Sequence, residues 1–247
     1  MSLLRASEEG GVLRLAIDRP AERNALSLEL MREIRAALHG LEGRAVRVVI
    51  FSGGTRVFSA GADFSDLKGT AQDIAFDDSV SETVAVVRAT PALVIAAIEG
   101  ACIGAALELA LACDVRVASE TAFFQLPALR LGILYNPAAL KRMRSILPGQ
   151  TVAKLVLLGE RIEGRDAIGA GIASHWVPAG EAEKFAATLA ARTASFPRRA
   201  LAAAKGCLYA LDDDGTDLAQ WMQLRKELLG SEERREALAR AREKRGS

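Results

Sequence analysis

From Gly11 to Ile17 apolar and polar positions alternate, with Val12, Leu13, Leu15 and Ile17 apolar, until Asp18-Arg19-Pro20 stops the pattern. That period predicts a strand ended by a turn. After the polar loop 21–26 the period changes. Leu28, Met31, Ile34 and Leu38 recur at helical spacing behind Ser27, whose hydroxyl suits an N-cap, with Glu29 in the first turn. Arg47 to Phe51 predicts a second, buried strand closed by Ser52-Gly53-Gly54. Residues 69–78 read as a mobile polar loop, and Val80 to Ala89 as a helix ended by Pro91.

The most informative stretch follows. An apolar run from Leu93 to Ile98 meets Gly100, and small residues (Gly104, Ala105, Ala106) open a helical run carrying one acid, Glu108. Cys113-Asp114 then turns into Val115-Arg116-Val117. The expected order is buried strand, tight turn, buried helix, strand. Further on, Ala122 to Gln125 is a short apolar piece, and Pro127 and Gly132 interrupt the pattern. Asn136-Pro137 can open a helix reaching Leu147. Helices are expected over 150–158, 164–168 and 181–191, with 173–177 extended between them. Pro197 suits the first turn of another helix, and 216–229 and 231–244 finish the chain as helices. The class is therefore α/β, with a helical tail.

Composition narrows the function. The 247 residues are 50% hydrophobic, enough for one large core, and the formal charge of +1 gives no push toward nucleic acid or an anionic membrane. No run approaches the roughly 18 to 20 apolar residues of a membrane-crossing helix. The N-terminus lacks the basic start and apolar centre of a signal peptide. Cys102, Cys113 and Cys207 lack C-x-x-C spacing, and His39 and His175 lie far apart. Reduced cytoplasmic thiols and no metal site are expected.

Two places carry candidate chemistry. Small residues at the head of a helix let another group approach its free N–H groups, where the helix dipole favours developing negative charge. Glu108, three residues after Ala105, can face the same side of that helix. In Val57 to Asp63, Gly61 permits an unusual backbone and Asp63 suits a cap, so backbone N–H groups can turn outward from a strand end.

Taken together, Arg19-Pro20 with Asn24-Ala25-Leu26, the run Phe58 to Asp63, Glu99 to Gly104, and Cys113 to Ala118 resemble the crotonase (enoyl-CoA hydratase/isomerase) family in order and spacing. The resemblance implies a spiral of strand-strand-helix turns over 1–190, with a C-terminal helical trimerisation region of the same domain over 191–247. It implies a homotrimer or dimer of trimers that takes an acyl-CoA thioester, with CoA part of the substrate and no separate cofactor. It places the two oxyanion-hole N–H groups on Ala62 and Ala105 and a catalytic acid on Glu108. It gives substrate contacts to Arg23, Ala25, Ala60, Gly61, Asp63 and Gly104; Tyr135, where the chain departs from the family's glycine-rich turn, reads as a pocket wall on the substrate side.

The chain departs from the family's hydratases at the second acid. By position that acid falls on Ala128, and the aspartate that some relatives carry further on falls on Asn136. Classical hydratase chemistry therefore lacks its acid-base pair. Three readings stay open: an isomerase-like shuttle on Glu108 alone, another enolate reaction using Glu108 with Tyr135 or water, and a catalytically silent acyl-CoA-binding protein. A purely structural Glu108, paired with an arginine, is the fourth.

Overall fold

The structure is a computed structural model, and it describes residues 2–41, 43–212 and 215–246. Its strands are β1 (Leu4–Glu9), β2 (Val12–Ile17), β3 (Val48–Ser52), β4 (Leu93–Ile98), β5 (Ala101–Ile103), β6 (Val115–Ser119), β7 (Phe123–Gln125), β8 (Ile162–Glu163) and β9 (His175–Val177). Its α-helices are α1 (Leu28–His39), α2 (Ile74–Ala89), α3 (Ala105–Ala112), α4 (Pro137–Ile146), α5 (Gly149–Ala153), α6 (Asp166–Gly169), α7 (Ala182–Thr193), α8 (Arg198–Ala210), α9 (Ala219–Leu229) and α10 (Glu232–Gly246).

A six-stranded sheet runs β1-β2-β3-β4-β6-β9, and a small sheet runs β5-β7-β8. Only β1 pairs antiparallel in the large sheet; the other neighbours are parallel. Parallel strands are covered on both faces, so they read as continuous apolar runs. Val48, Val49 and Ile50 are each fully buried, and such side chains contribute about 1.5–3 kcal/mol apiece. One face of the sheet shares its core with α1, α2 and α3. The other face packs on Ala182, Ala186 and Ala190 of α7. Strands β4 and β6 lie in the large sheet, while the strands that follow them, β5 and β7, turn into the small one. That repeated corner brings the head of α3 to the junction of the two sheets.

Ser27 caps α1 as its type predicts, its hydroxyl accepting from the Leu30 N–H. Asn136 caps α4, accepting from the Ala138 and Ala139 N–H groups with Pro137 in the first turn. Three expectations are corrected. Helix α2 begins at Ile74, not Val80, because Phe76, Ser79 and Val80 already face the core at helical spacing. The segment before it, expected as loop, is partly helical. Ala71–Asp73 is a turn of 3-10 helix, and the Asp73 carboxylate ties down the N–H groups of Lys68 and Gly69. Pro197 stands one position before α8, at its N-cap. Strand β1 was not anticipated: only Leu4 of its six residues is buried, so it shows no alternation.

Candidate active site

Two segments run side by side toward the head of α3. Ser59 bridges Cys102 in parallel, its N–H donating to the Ala101 carbonyl at 2.9 Å and its carbonyl accepting from Ile103 at 3.2 Å. On its other side the same segment bridges Leu26, whose N–H donates to the Gly61 carbonyl at 2.7 Å and whose carbonyl accepts from Asp63 at 2.9 Å. In such a bridge the bonds come from the residues flanking Ala62, so Ala62's own N–H points away from Leu26. Gly61 sits at φ 96°, and a Cβ there would fall 2.6 Å from the Ile103 carbonyl oxygen. Only glycine fits that backbone approach. Gly61, the residue before Ala62, thus lies against Ile103 and Gly104, the residues before Ala105.

Ala105 is the first residue of α3. Its predecessor Gly104, at φ 58°, has no side chain with which to cap the helix. The Gly104 N–H is taken by the Gln125 carbonyl at 2.9 Å. Among the described residues, no acceptor lies against the N–H of Ala62 or of Ala105. The two free donors therefore belong to neighbouring segments, one of them at the positive end of a buried helix.

Glu108 lies in the first turn of α3, a helix buried at every position. Both of its carboxylate oxygens are engaged. Oε2 accepts from the Tyr135 hydroxyl at 2.8 Å, and Oε1 pairs with the Arg142 guanidinium of α4. Burial pushes the Glu108 carboxyl up from its ordinary value, while the Tyr135 hydrogen bond and the Arg142 charge pull it part of the way back. Burial, then the neighbouring Glu108 charge, pushes the Tyr135 hydroxyl well above its usual range, so it stays a donor. The arginine partner considered in the structural reading of Glu108 is thus present.

The remaining sequence-derived positions surround the first segment. Arg23 is exposed in the left-handed region at φ 52°, and its carbonyl accepts from Ala60 at 3.0 Å. The Ala25 carbonyl accepts from Arg19 at 2.6 Å. Asp63 is committed internally: one oxygen caps the short helix Phe64–Asp66 through Ser65, and the other pairs with Arg19 at 2.8 Å. The Ser65 hydrogen bond leads in holding the Asp63 carboxyl below its ordinary value. Ala128 opens a short 3-10 turn, and the Asn136 side chain caps α4 through its oxygen while its amide donates to the Ser81 hydroxyl at 3.3 Å.

Sequence reasoning missed Arg142, which lies three residues after the buried Ala139 and beside the buried Met143. Its place on the inward face was therefore available from the period. It also missed Asn24, whose side chain donates to the Gly53 and Val57 carbonyls at 2.7 and 2.9 Å and so fixes the loop under Ala60. Buried Glu99 does structural work: it accepts from Thr121 and from the Gly180 and Ala182 N–H groups at the start of α7.

Three comparisons with known proteins bear on this arrangement. A family model described as enoyl-CoA hydratase/isomerase matches residues 7–247. The 2,3-dehydroadipyl-CoA hydratase of Escherichia coli K12 is 34% identical over 245 residues, covering 97% of this chain and 95% of that protein. A probable mitochondrial enoyl-CoA hydratase 2 of Arabidopsis thaliana is 31% identical over 251 residues, covering 97% and 82%. Among solved structures, an enoyl-CoA hydratase/carnithine racemase from Magnetospirillum magneticum superposes with a TM-score of 0.93 at 28% identity, covering 99% of this chain and 94% of that one. The α/β spiral with its C-terminal helices matches that fold. Among the described residues, no helix is long and apolar enough to cross a membrane.

Proposed function

The chain belongs to the enoyl-CoA hydratase/isomerase family, and from that premise we propose that it binds acyl-CoA thioesters and stabilises their enolates. The thioester oxygen sits against the N–H groups of Ala62 and Ala105. Negative charge gathers on that oxygen in the transition state, and fixed dipoles stabilise it without reorganising; one such donor is typically worth about 2.7–4 kcal/mol. Glu108 takes a proton from the acyl carbon chain. The C–H electron pair moves toward the thioester oxygen, and on its return Glu108 gives back a proton, at the original carbon or at another, after its own proton has had the chance to exchange with solvent. That cycle needs no water and no redox partner.

The observation that carries this reading is the placement of buried Glu108 in the first turn of the helix whose leading N–H is free. With alanine at 128, a second carboxylate to activate water is missing, so proton shuttling is favoured over hydration. Arg23, Ala25, Ala60, Gly61, Asp63, Gly104 and Tyr135 line the substrate side, and CoA arrives as part of the substrate. The helices from α8 onward join subunits as a homotrimer or a dimer of trimers. The similarity to a 2,3-dehydroadipyl-CoA hydratase supports the acyl-CoA class.

A second reading, a silent acyl-CoA-binding protein, is favoured by the engagement of both Glu108 oxygens. Solvent exchange separates the two. In heavy water the protein is expected to place deuterium at the α-carbon of a saturated acyl-CoA. Glu108→Gln is expected to slow exchange about 10²-fold or more, with binding kept in calorimetry. Binding without exchange, and without turnover of any enoyl-CoA, would leave only the silent reading.

A further inference from the structure

The pairing of Glu108 with α4 has a consequence for how that carboxylate works. We propose that Arg142 is a positioning residue: its guanidinium clamps Oε1 of Glu108 while the Tyr135 hydroxyl holds Oε2, fixing the carboxylate at the head of α3. The proposal rests on the reading of Glu108 as the proton-transfer group.

Three observations support it. First, both carboxylate oxygens are held from outside α3, by Tyr135 in the loop before α4 and by Arg142 on α4 itself. A carboxylate fixed at both oxygens has one orientation, and orientation is a large part of proton-transfer efficiency. Second, the arginine reaches inward from a more open place. Its side chain is 26% exposed against 6% for Glu108, and it lines a groove between α2, α4 and α8. The other two cations of that groove have their own anions, Arg88 with Asp212 at 2.8 Å and Lys205 with Asp114 at 2.9 Å. Arg142 is therefore the one committed to Glu108. Third, Arg142 is, after the Tyr135 hydroxyl, the group that favours the charged form of Glu108. Helix α2 contributes Asp77, which repels a Glu108 charge, and Arg88, which lines the same small cavity; α4 contributes Arg142, and the preceding loop contributes neutral Tyr135. Burial and Asp77 both favour the protonated acid, which cannot accept a proton. Arg142 and the Tyr135 hydrogen bond oppose them.

The test is Arg142→Gln, with Arg142→Lys and Glu108→Gln beside it. Two readouts are taken: the pH profile of α-carbon exchange, and the carboxyl titration of Glu108 followed by carbon-13 NMR, with Glu108→Gln identifying the signal. Arg142→Gln is expected to lower the exchange rate at neutral pH about 10- to 100-fold, with KM little changed. The acid limb and the NMR midpoint should both move to higher pH. In the Glu108→Gln background the same change should add no further loss. Arg142→Lys keeps the charge but not the planar fork, so its midpoint should stay near wild type while exchange falls severalfold.

An unmoved midpoint in Arg142→Gln overturns the proposal whether or not the protein turns over. A raised midpoint in a protein with no exchange supports the clamp and removes the catalytic reading. If Arg142→Gln does not fold, Arg142→Lys decides: severalfold slower exchange at unchanged KM supports the proposal, and wild-type rates overturn it.

Discussion

At the residue scale the chemistry concentrates in Glu108, and its burial has a measurable sign. Desolvation leads in raising the folded-state carboxyl above its ordinary value of 4.5. The folded chain therefore holds a proton that the unfolded chain releases. Stability falls as pH rises through the window that opens near 4.5 and closes at the folded-state value. Glu108→Gln carries no such proton. The stability difference between wild type and Glu108→Gln, from urea midpoints across a pH series, is expected to tilt against the wild type with rising pH in that window. A flat difference would mean that Glu108 is not desolvated. Single residues were unevenly legible in the sequence. Ser27, Asp63 and Asn136 were readable because a cap is a local event, settled by one short side chain and the next three N–H groups. For Arg142 the inward face was available from the period but the partner was not, because the residue it pairs with, Glu108, lies 34 positions away.

At the element scale, α3 was legible as a buried helix because its apolar run is continuous, and its head was legible from Gly104 and Ala105. Strand β5 was hidden within the same stretch: three residues pairing with β7 carry no period. The first turns of α2 were hidden because Asp73, Asp77 and Asp78 look like loop, although Phe76 and Val80 already fix the inward face. Helix α8 shows a further limit. It docks through Lys205, whose ammonium donates to the Val87 and Ala92 carbonyls at 3.3 and 3.0 Å and pairs with Asp114 at 2.9 Å. Tyr209 from the same helix donates to Asp114 at 2.5 Å. A lysine in an alanine-rich helix reads from sequence as solvated, yet this side chain is 7% exposed. Lys205→Met would leave Asp114 without its cation, and breaking a buried pair in this way costs about 3–5 kcal/mol. Chemical unfolding should show a loss of that order, with amide exchange accelerating first in α8. A loss under about 1 kcal/mol, within the worth of an exposed pair, would mean that the pair does not anchor the helix.

At the scale of the whole molecule, the two sheets bring together two segments, 59–63 and 101–105, that lie about 40 positions apart in the chain. This was legible only through a resemblance, since no local pattern in either segment names the other. The spiral supplies the reason: β4 and β5 turn a corner, the loop after β3 pairs along it, and among the described residues the N–H groups of Ala62 and Ala105, at the ends of these segments, have no acceptor. The C-terminal helices leave large apolar side chains exposed, Leu208, Met222 and Leu229 among them, a surface of the kind that a partner covers. The most direct measurement is a crystal structure with a non-hydrolysable acyl-CoA analogue bound. The account predicts the carbonyl oxygen within about 2.7–3.1 Å of both the Ala62 and the Ala105 nitrogen, with Glu108 facing the neighbouring carbon. A carbonyl bound elsewhere, or held by neither nitrogen, would contradict it.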